Sequence, residues 1–160
     1  MKLEQFLELF NPRPGNHFIQ VTTKLDETTE ALSQLMQECD GEMRIAYYGD
    51  EKADDKIEAI VQNIENFKIP FRALPRDNDC VILKDIFTVH QRPHLLLKVA
   101  YSTLANNANI ILMEKKGILN IEHTLELLEQ YEFRSGNFID ILEEYDLIIA
   151  KKLHMWGNGL

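Results

Sequence analysis

The sequence predicts an α/β fold, a doubly wound and mostly parallel sheet that closes in a C-terminal antiparallel hairpin. Three observations carry this. Short apolar runs alternate with apolar stripes at helical spacing, and strands alternating with helices imply a parallel sheet with helices on both faces. The runs Cys80–Leu83 and Ile110–Met113 are continuously apolar, as in strands buried on both faces. The last two strand segments, Phe138–Leu142 and Tyr145–Ala150, are joined only by Glu143 and Glu144. That is too short for a parallel crossover, so the final pair is antiparallel.

The elements follow in order. Leu3, Phe6, Leu7 and Phe10 predict an amphipathic helix over 2–10, stopped by Asn11-Pro12-Arg13-Pro14-Gly15. His17–Val21 is the first strand, ended by Thr22 and Thr23. Asp26 or Thr28 caps a helix carrying Leu32, Leu35, Met36 and Cys39. Met43–Tyr48 is the second strand and Gly49-Asp50 its exit turn. Ile57, Ile60, Val61, Ile64 and Phe67 predict a helix over 54–67. Ile69–Leu74 is a weaker third strand, with Pro70 placing it at an edge. After the turn Asp77-Asn78-Asp79 comes the apolar strand at Cys80. Pro93 opens a helix with Leu96, Leu97, Ala100, Tyr101 and Leu104 on its apolar face. Asn106–Asn109 is a turn, Ile110–Met113 a strand, and Ile121, Leu125, Leu128 and Tyr131 mark the last helix.

A chain of 160 residues with 45% hydrophobic content is expected to form one domain with one core. The formal net charge is −9, which argues against a broad nucleic-acid surface, since phosphate binding needs clustered Lys and Arg. Cys39 and Cys80 are expected to be small buried residues rather than a disulfide. The N-terminal segment has two glutamates within its apolar pattern and does not read as a signal peptide. No run is long enough to span a membrane, so no membrane partner is expected and a cytoplasmic location is the default.

The loop after the first strand lacks glycine: Thr22-Thr23 runs into Lys24, Leu25, Asp26 and Glu27. In doubly wound folds the backbone passes close to a ligand at this loop, and glycine permits the approach.

Several stretches carry a family likeness. Leu74-Pro75-Arg76-Asp77-Asn78-Asp79-Cys80-Val81 matches an LP-x-x-D-x-x-D-x-V run leading into the fourth strand. Leu96–Leu104 followed by Asn106–Leu112 matches a helix, an LKPGG-type turn and a fifth strand, with Asn107 and Ala108 in place of both glycines. Leu125–Phe133 matches a helix ending in GF, and Tyr145–Lys152 a closing strand. In these motifs and their order the chain resembles the class I S-adenosylmethionine-dependent methyltransferases. The resemblance implies a Rossmann-like fold and three cofactor anchors. The first falls on Thr22 and Thr23, where the family has its glycine-rich turn and where β-branched side chains fill the space a close ligand would need. The second, an acid at the end of strand two that takes ribose hydroxyls, falls on Asp50 or Glu51. The third, before strand four, falls on Asp77 and Asn78.

Asp85 and His90 follow the fourth strand at its carboxyl end, where such folds place ligands. Lys84-Asp85 would orient a substrate and His90 would serve as a general base; the alternative is a turn cap and a loop histidine. His90 and His94 are four apart, but Pro93 lies between them, and there is neither an HExxH pattern nor a clustered third ligand, so no metal site is read. No GxSxG or GxxxxGK[ST] motif is present. Asp50, Glu51, Asp54 and Asp55 read as a solvated first helical turn, with ribose binding the alternative. Arg76 and Arg92 would share a sheet edge and could receive an anion. Trp156, with Met155 and Leu160, offers a homodimer contact together with the N-terminal helix; Trp156 folded back onto that helix is the alternative.

Three functions remain open at this stage. The first is a methyltransferase-like domain without ordinary cofactor binding, serving as an interaction or regulatory module. The second is an active, divergent methyltransferase with S-adenosylmethionine over Thr22, Asp50 and Asp77. The third is a binder of another small anionic or nucleotide ligand. The first is preferred, with no cofactor the expected state and S-adenosylmethionine possible.

Overall fold

The structure, a computed structural model, describes residues 2–153. The C-terminal stretch from His154, including Trp156 and its proposed contact, lies outside the described residues. Among these residues seven strands, β1 (His17–Thr22), β2 (Glu42–Tyr47), β3 (Ile60–Asn63), β4 (Asn78–Lys84), β5 (Leu104–Lys115), β6 (Arg134–Ile139) and β7 (Tyr145–Lys151), form one sheet in the order β3-β2-β1-β4-β5-β7-β6. The first five run parallel to one another, and β7 runs antiparallel to both β5 and β6.

Among the described residues four helices flank the sheet: α1 (Glu4–Leu7), α2 (Glu27–Glu38), α3 (Pro93–Thr103) and α4 (Ile121–Gln130). Side chains alternate across each strand, so the sheet has two apolar faces. Ile19, Val21, Val81, Leu83, Ile110 and Leu112 pack with Leu96, Leu97 and Ala100 of α3 and Leu128 of α4. Phe18, Ile45, Ile82 and Ile111 pack with Phe6 of α1 and Leu32 and Met36 of α2. The doubly wound arrangement and the closing hairpin follow the sequence pattern.

Several boundaries differ from expectation. No helix forms over 54–67. Residues 51–59 form a loop leading into the edge strand β3. Ile57 and Val61 pack toward one face of the sheet, Ile64 and Phe67 toward the other, and Ile60 is exposed. Spacing alone fits a helical stripe, but the adjacent β-branched Ile60-Val61 pair favours extended backbone where β2 offers an open edge.

Ile69–Leu74 is not a strand. The Gln62 side chain takes the Arg72 N–H on Oε1 (2.8 Å) and donates from Nε2 to the Arg72 carbonyl (2.9 Å), so a side chain supplies the bonds a ladder would have made. The N-terminal helix is one turn, Glu4–Leu7, rather than 2–10. The Asn106–Asn109 turn is an irregularity inside β5, with Asn107 left-handed at φ 68°. β6 ends at Ile139, so the hairpin loop is Asp140–Glu144 rather than two glutamates.

Candidate functional site: a buried ammonium at the strand crossover

Strand order reverses between β1 and β4, and open α/β sheets bind ligands outside the strand carboxyl ends at such a reversal. The last ladder partners there are Thr22 and Lys84. Alternation puts Gln20 and Thr22 of β1, and Ile82 and Lys84 of β4, on the face under α2. The helix answers with buried Thr28, Thr29 and Ser33. The carboxyl end of this face is therefore polar. Thr29 Oγ1 donates to Gln20 Oε1 at 2.7 Å. Gln20 Nε2 is the one buried side-chain nitrogen or oxygen without a partner among the described residues.

Lys84 occupies the reversal itself. Its side chain is wholly buried, and its Nζ lies 2.7 Å from Asp85 Oδ2 and 3.1 Å from Asp26 Oδ2. The ammonium also donates to the Lys24 carbonyl at 2.9 Å and, more weakly, to Thr22 Oγ1 at 3.3 Å. Asp26 divides its oxygens between two tasks. Oδ1 caps α2, accepting from Thr28 N at 2.9 Å and Thr28 Oγ1 at 2.6 Å, while Thr29 Oγ1 accepts from the Asp26 N–H in a capping box. Oδ2 faces the ammonium. Burial pushes the Asp26 carboxyl up, but the Lys84 charge and the Thr28 donors outweigh it and hold the carboxyl below its ordinary value.

β7 contributes from the far side. Its antiparallel run brings Tyr145 beside Lys115, at the carboxyl end of β5, and Tyr145 Oη donates to Asp85 Oδ2 at 2.7 Å. Burial, then the bond to Asp85, push the Tyr145 hydroxyl well above the usual phenol range. Glu114, buried near the end of β5, accepts on Oε1 from Thr88 N (2.9 Å) and Thr88 Oγ1 (2.6 Å). Burial raises its carboxyl above the ordinary value, the Thr88 donors offset part of the rise, and the Asp85 charge adds to it.

The exit loops of β1 and β2 close on each other. A Cβ placed on Gly49 would stand 2.6 Å from the Thr23 carbonyl oxygen and 2.5 Å from the Tyr47 ring. Thr23 Oγ1 in turn donates to the Asp85 carbonyl at 2.7 Å. What remains open is a cavity of about 270 Å³ lined by Leu25, Asp26, Glu30, Tyr47, Glu51, Lys52, Asp54 and Ile57, near the low end of ligand pockets at roughly 300–1,000 Å³. A larger groove of about 520 Å³ lies between α1 and the hairpin loop, lined by Lys2, Glu4, Gln5, Ile141, Glu143 and Glu144.

The structure brings Thr22, Thr23 and Asp85 together, leaves Asp50 on the adjoining exit loop of β2 at the same sheet edge, and separates all four from Asp77 and Asn78. Asp50 is exposed after β2, and its neighbour Glu51 lines the cavity. Asp77 and Asn78 stand at the amino edge, about 20 Å away along β4 at roughly 3.3 Å per residue. There Asp77 Oδ2 accepts from Arg44 at 2.6 Å and Asn78 Nδ2 donates to Thr103 at 2.9 Å. Thr22 and Asp85 on one side, and Asp77 and Asn78 on the other, thus stand at opposite ends of the parallel strands.

His90 is buried with both nitrogens engaged. Nδ1 accepts from the Arg92 N–H at 2.9 Å, which leaves Nε2 to donate to the Ile69 carbonyl at 3.0 Å. In this arrangement the ring ties two loops rather than facing the crevice. Arg92 precedes α3 while the Arg76 N–H bonds Ser102 near the end of α3, so the two arginines lie at opposite ends of that helix. Both cysteines are free thiols. Among the described residues no helix is long and apolar enough to cross a membrane.

The sequence reading paired Lys84 with Asp85 but missed Asp26, Tyr145 and Glu114 as their companions. One signal was available: Cys80, Ile82 and Lys84 share a strand face, so strict alternation carries a lysine into a buried surface.

Neither a protein-family model nor a curated protein matches the sequence. Solved structures do match in three dimensions. An Aquifex aeolicus SAM-dependent methyltransferase superposes with a TM-score of 0.73 at 15% identity, covering 94% of this chain and 89% of that one. A TehB-like SAM-dependent methyltransferase from Corynebacterium glutamicum gives 0.68 at 11% identity over 91% of this chain and 84% of that one. Haemonchus contortus phosphoethanolamine N-methyltransferase 2, in complex with S-adenosyl-L-methionine, gives 0.69 at 8% identity, this chain covering 93% of itself and 51% of that chain. The chain has the fold of the class I S-adenosylmethionine-dependent methyltransferases.

Proposed function

We propose that this protein keeps the methyltransferase scaffold without ordinary cofactor binding and serves as an interaction or regulatory module. The observation that carries the reading is the Lys84 ammonium, buried at the β1–β4 reversal between Asp26 and Asp85. In this fold the reversal is the ligand crevice, and here it holds a side chain and its counter-ions. Two features support the same reading. The loop from Thr23 to Asp26 contains no glycine, and the exit loops of β1 and β2 touch at Gly49. The residues present do not fit S-adenosylmethionine in its ordinary place.

The test is calorimetric titration of the folded protein with S-adenosylmethionine and S-adenosylhomocysteine. No heat at millimolar ligand is the expected result. Saturable binding lost in Glu51→Ala would favour the active-methyltransferase reading, with the cofactor entering through the cavity that Glu51 lines.

A further inference from the structure

The geometry points to a second identity for the Lys84 environment. We propose that Asp26, Asp85, Thr22 and the Lys24 carbonyl form a binding site for a primary ammonium group, and that Lys84 is a tethered ligand that fills it and thereby plugs the crevice. The role rests on the crevice lacking its ordinary cofactor.

Four acceptors converge on one nitrogen: Asp85 Oδ2 at 2.7 Å, the Lys24 carbonyl at 2.9 Å, Asp26 Oδ2 at 3.1 Å and Thr22 Oγ1 at 3.3 Å. An ammonium has three protons to give, so its demand is fully met. The acceptors come from the end of β1, the following loop, the cap of α2 and the residue after β4. The three side chains among them each have an anchor. Asp26 is fixed by its capping box, and Asp85 is fixed by Tyr145 Oη at 2.7 Å. Thr22 Oγ1 is fixed by the Lys24 N–H at 3.1 Å. A receptor whose walls are held independently of its occupant survives the occupant's removal better than an ion pair that depends on it. Asp26 also lines the neighbouring cavity of about 270 Å³.

Replacing Lys84 by Ala removes Cγ, Cδ, Cε and Nζ, the atoms of n-propylammonium. In Lys84→Ala, n-propylammonium chloride is expected to raise Tm saturably by about 4 °C or more, since a ligand that binds only the folded state stabilises it. Methylammonium should act more weakly, and tetramethylammonium, which has no N–H, should do no more than potassium chloride. The wild type, with Lys84 in place, and Lys84→Met, with the space filled, should show no saturable rise.

Absence of a saturable response in folded Lys84→Ala, or an equal response in the wild type, overturns the proposal. If Lys84→Ala does not fold alone, the same salts are added during refolding. Recovery with n-propylammonium but not tetramethylammonium supports the site, and recovery with neither overturns it. A parallel titration of the wild type with S-adenosylmethionine keeps the two readings apart. Binding there sinks the loss of cofactor binding, whereas failure of amine rescue without such binding sinks only the plug.

Discussion

Lys84 and Asp85 are neighbours in sequence, yet their side chains meet, Nζ to Oδ2 at 2.7 Å. Successive residues of a strand point to opposite faces, and only a break in the strand lets them converge. Asp85 supplies it with a left-handed backbone, φ 56°, a conformation aspartate tolerates better than most residues. Asp85→Asn should keep the backbone and lose the charge, at about 1.5–3 kcal/mol for the hydrogen bonds to the charged ammonium. Asp85→Ala should cost about 1 kcal/mol more through backbone strain. Urea denaturation of the three proteins checks the order.

Tyr145 stands on the other side of the same carboxylate, 2.7 Å from Oδ2. Tyr145→Phe should cost about 1–2 kcal/mol, and a double-mutant cycle with Asp85→Asn should show a coupling of at least about 0.5 kcal/mol. Additive losses would mean that the hydroxyl does not help hold the carboxylate.

Two carboxyl groups should pull the pH dependence of stability in opposite directions. The Asp26 value is lowered in the folded state, so its contribution is present above the unfolded value, near 3.8, and fades as pH falls through the lower folded value. The Glu114 value is raised, so the folded state binds more protons than the unfolded chain, and stability falls as pH climbs from about 4.5 through the folded value. Asp26→Asn should flatten the acid limb, and Glu114→Gln should remove the decline above it. Denaturant midpoints at intervals from pH 3 to pH 8 read both slopes.

Gly49 is the glycine that the crevice does have, placed after β2 rather than β1. Its absent side chain makes room for the Thr23 carbonyl. Gly49→Ala should cost about 1–3 kcal/mol, because backbone and the Tyr47 ring must shift to admit the methyl group. A loss below about 0.5 kcal/mol would show that the two exit loops part easily.

Amide exchange should begin at β3. It is a short edge strand of four residues, half of them exposed, entered through a loop without a helix to cover it. Exchange there should far outpace β1, β4 and β5 at the centre of the sheet, read by hydrogen–deuterium exchange of the peptides covering 55–66 and 78–84.

Much of this was legible in the chain. Cys80–Leu83 and Ile110–Met113 announce central strands because only a doubly covered strand can be apolar at every position. Pro93 marks a helix start that the structure places at N1 of α3. The 54–67 segment misled because Ile57, Ile60, Val61, Ile64 and Phe67 fit a helical stripe and also fit a chain that crosses from one sheet face to the other. Short apolar spacing does not distinguish the two. The candidate site was half legible: Thr22, Thr23 and Asp85 follow from strand ends. Asp77 and Asn78 join them only through the family resemblance, which does not register that β4 separates its two ends.

The sequence by itself determined the α/β class, the parallel centre of the sheet and the antiparallel close, because periodicity and connection length are local properties. Tertiary structure alone decided which groups meet the Lys84 ammonium: that Asp26 takes it with the oxygen its cap leaves over, and that Tyr145 reaches Asp85. Those partners lie 58 and 60 positions apart in the chain. Their meeting depends on strand order and register, which bring the ends of β1, β4 and β7 to one edge, and no local pattern encodes that convergence.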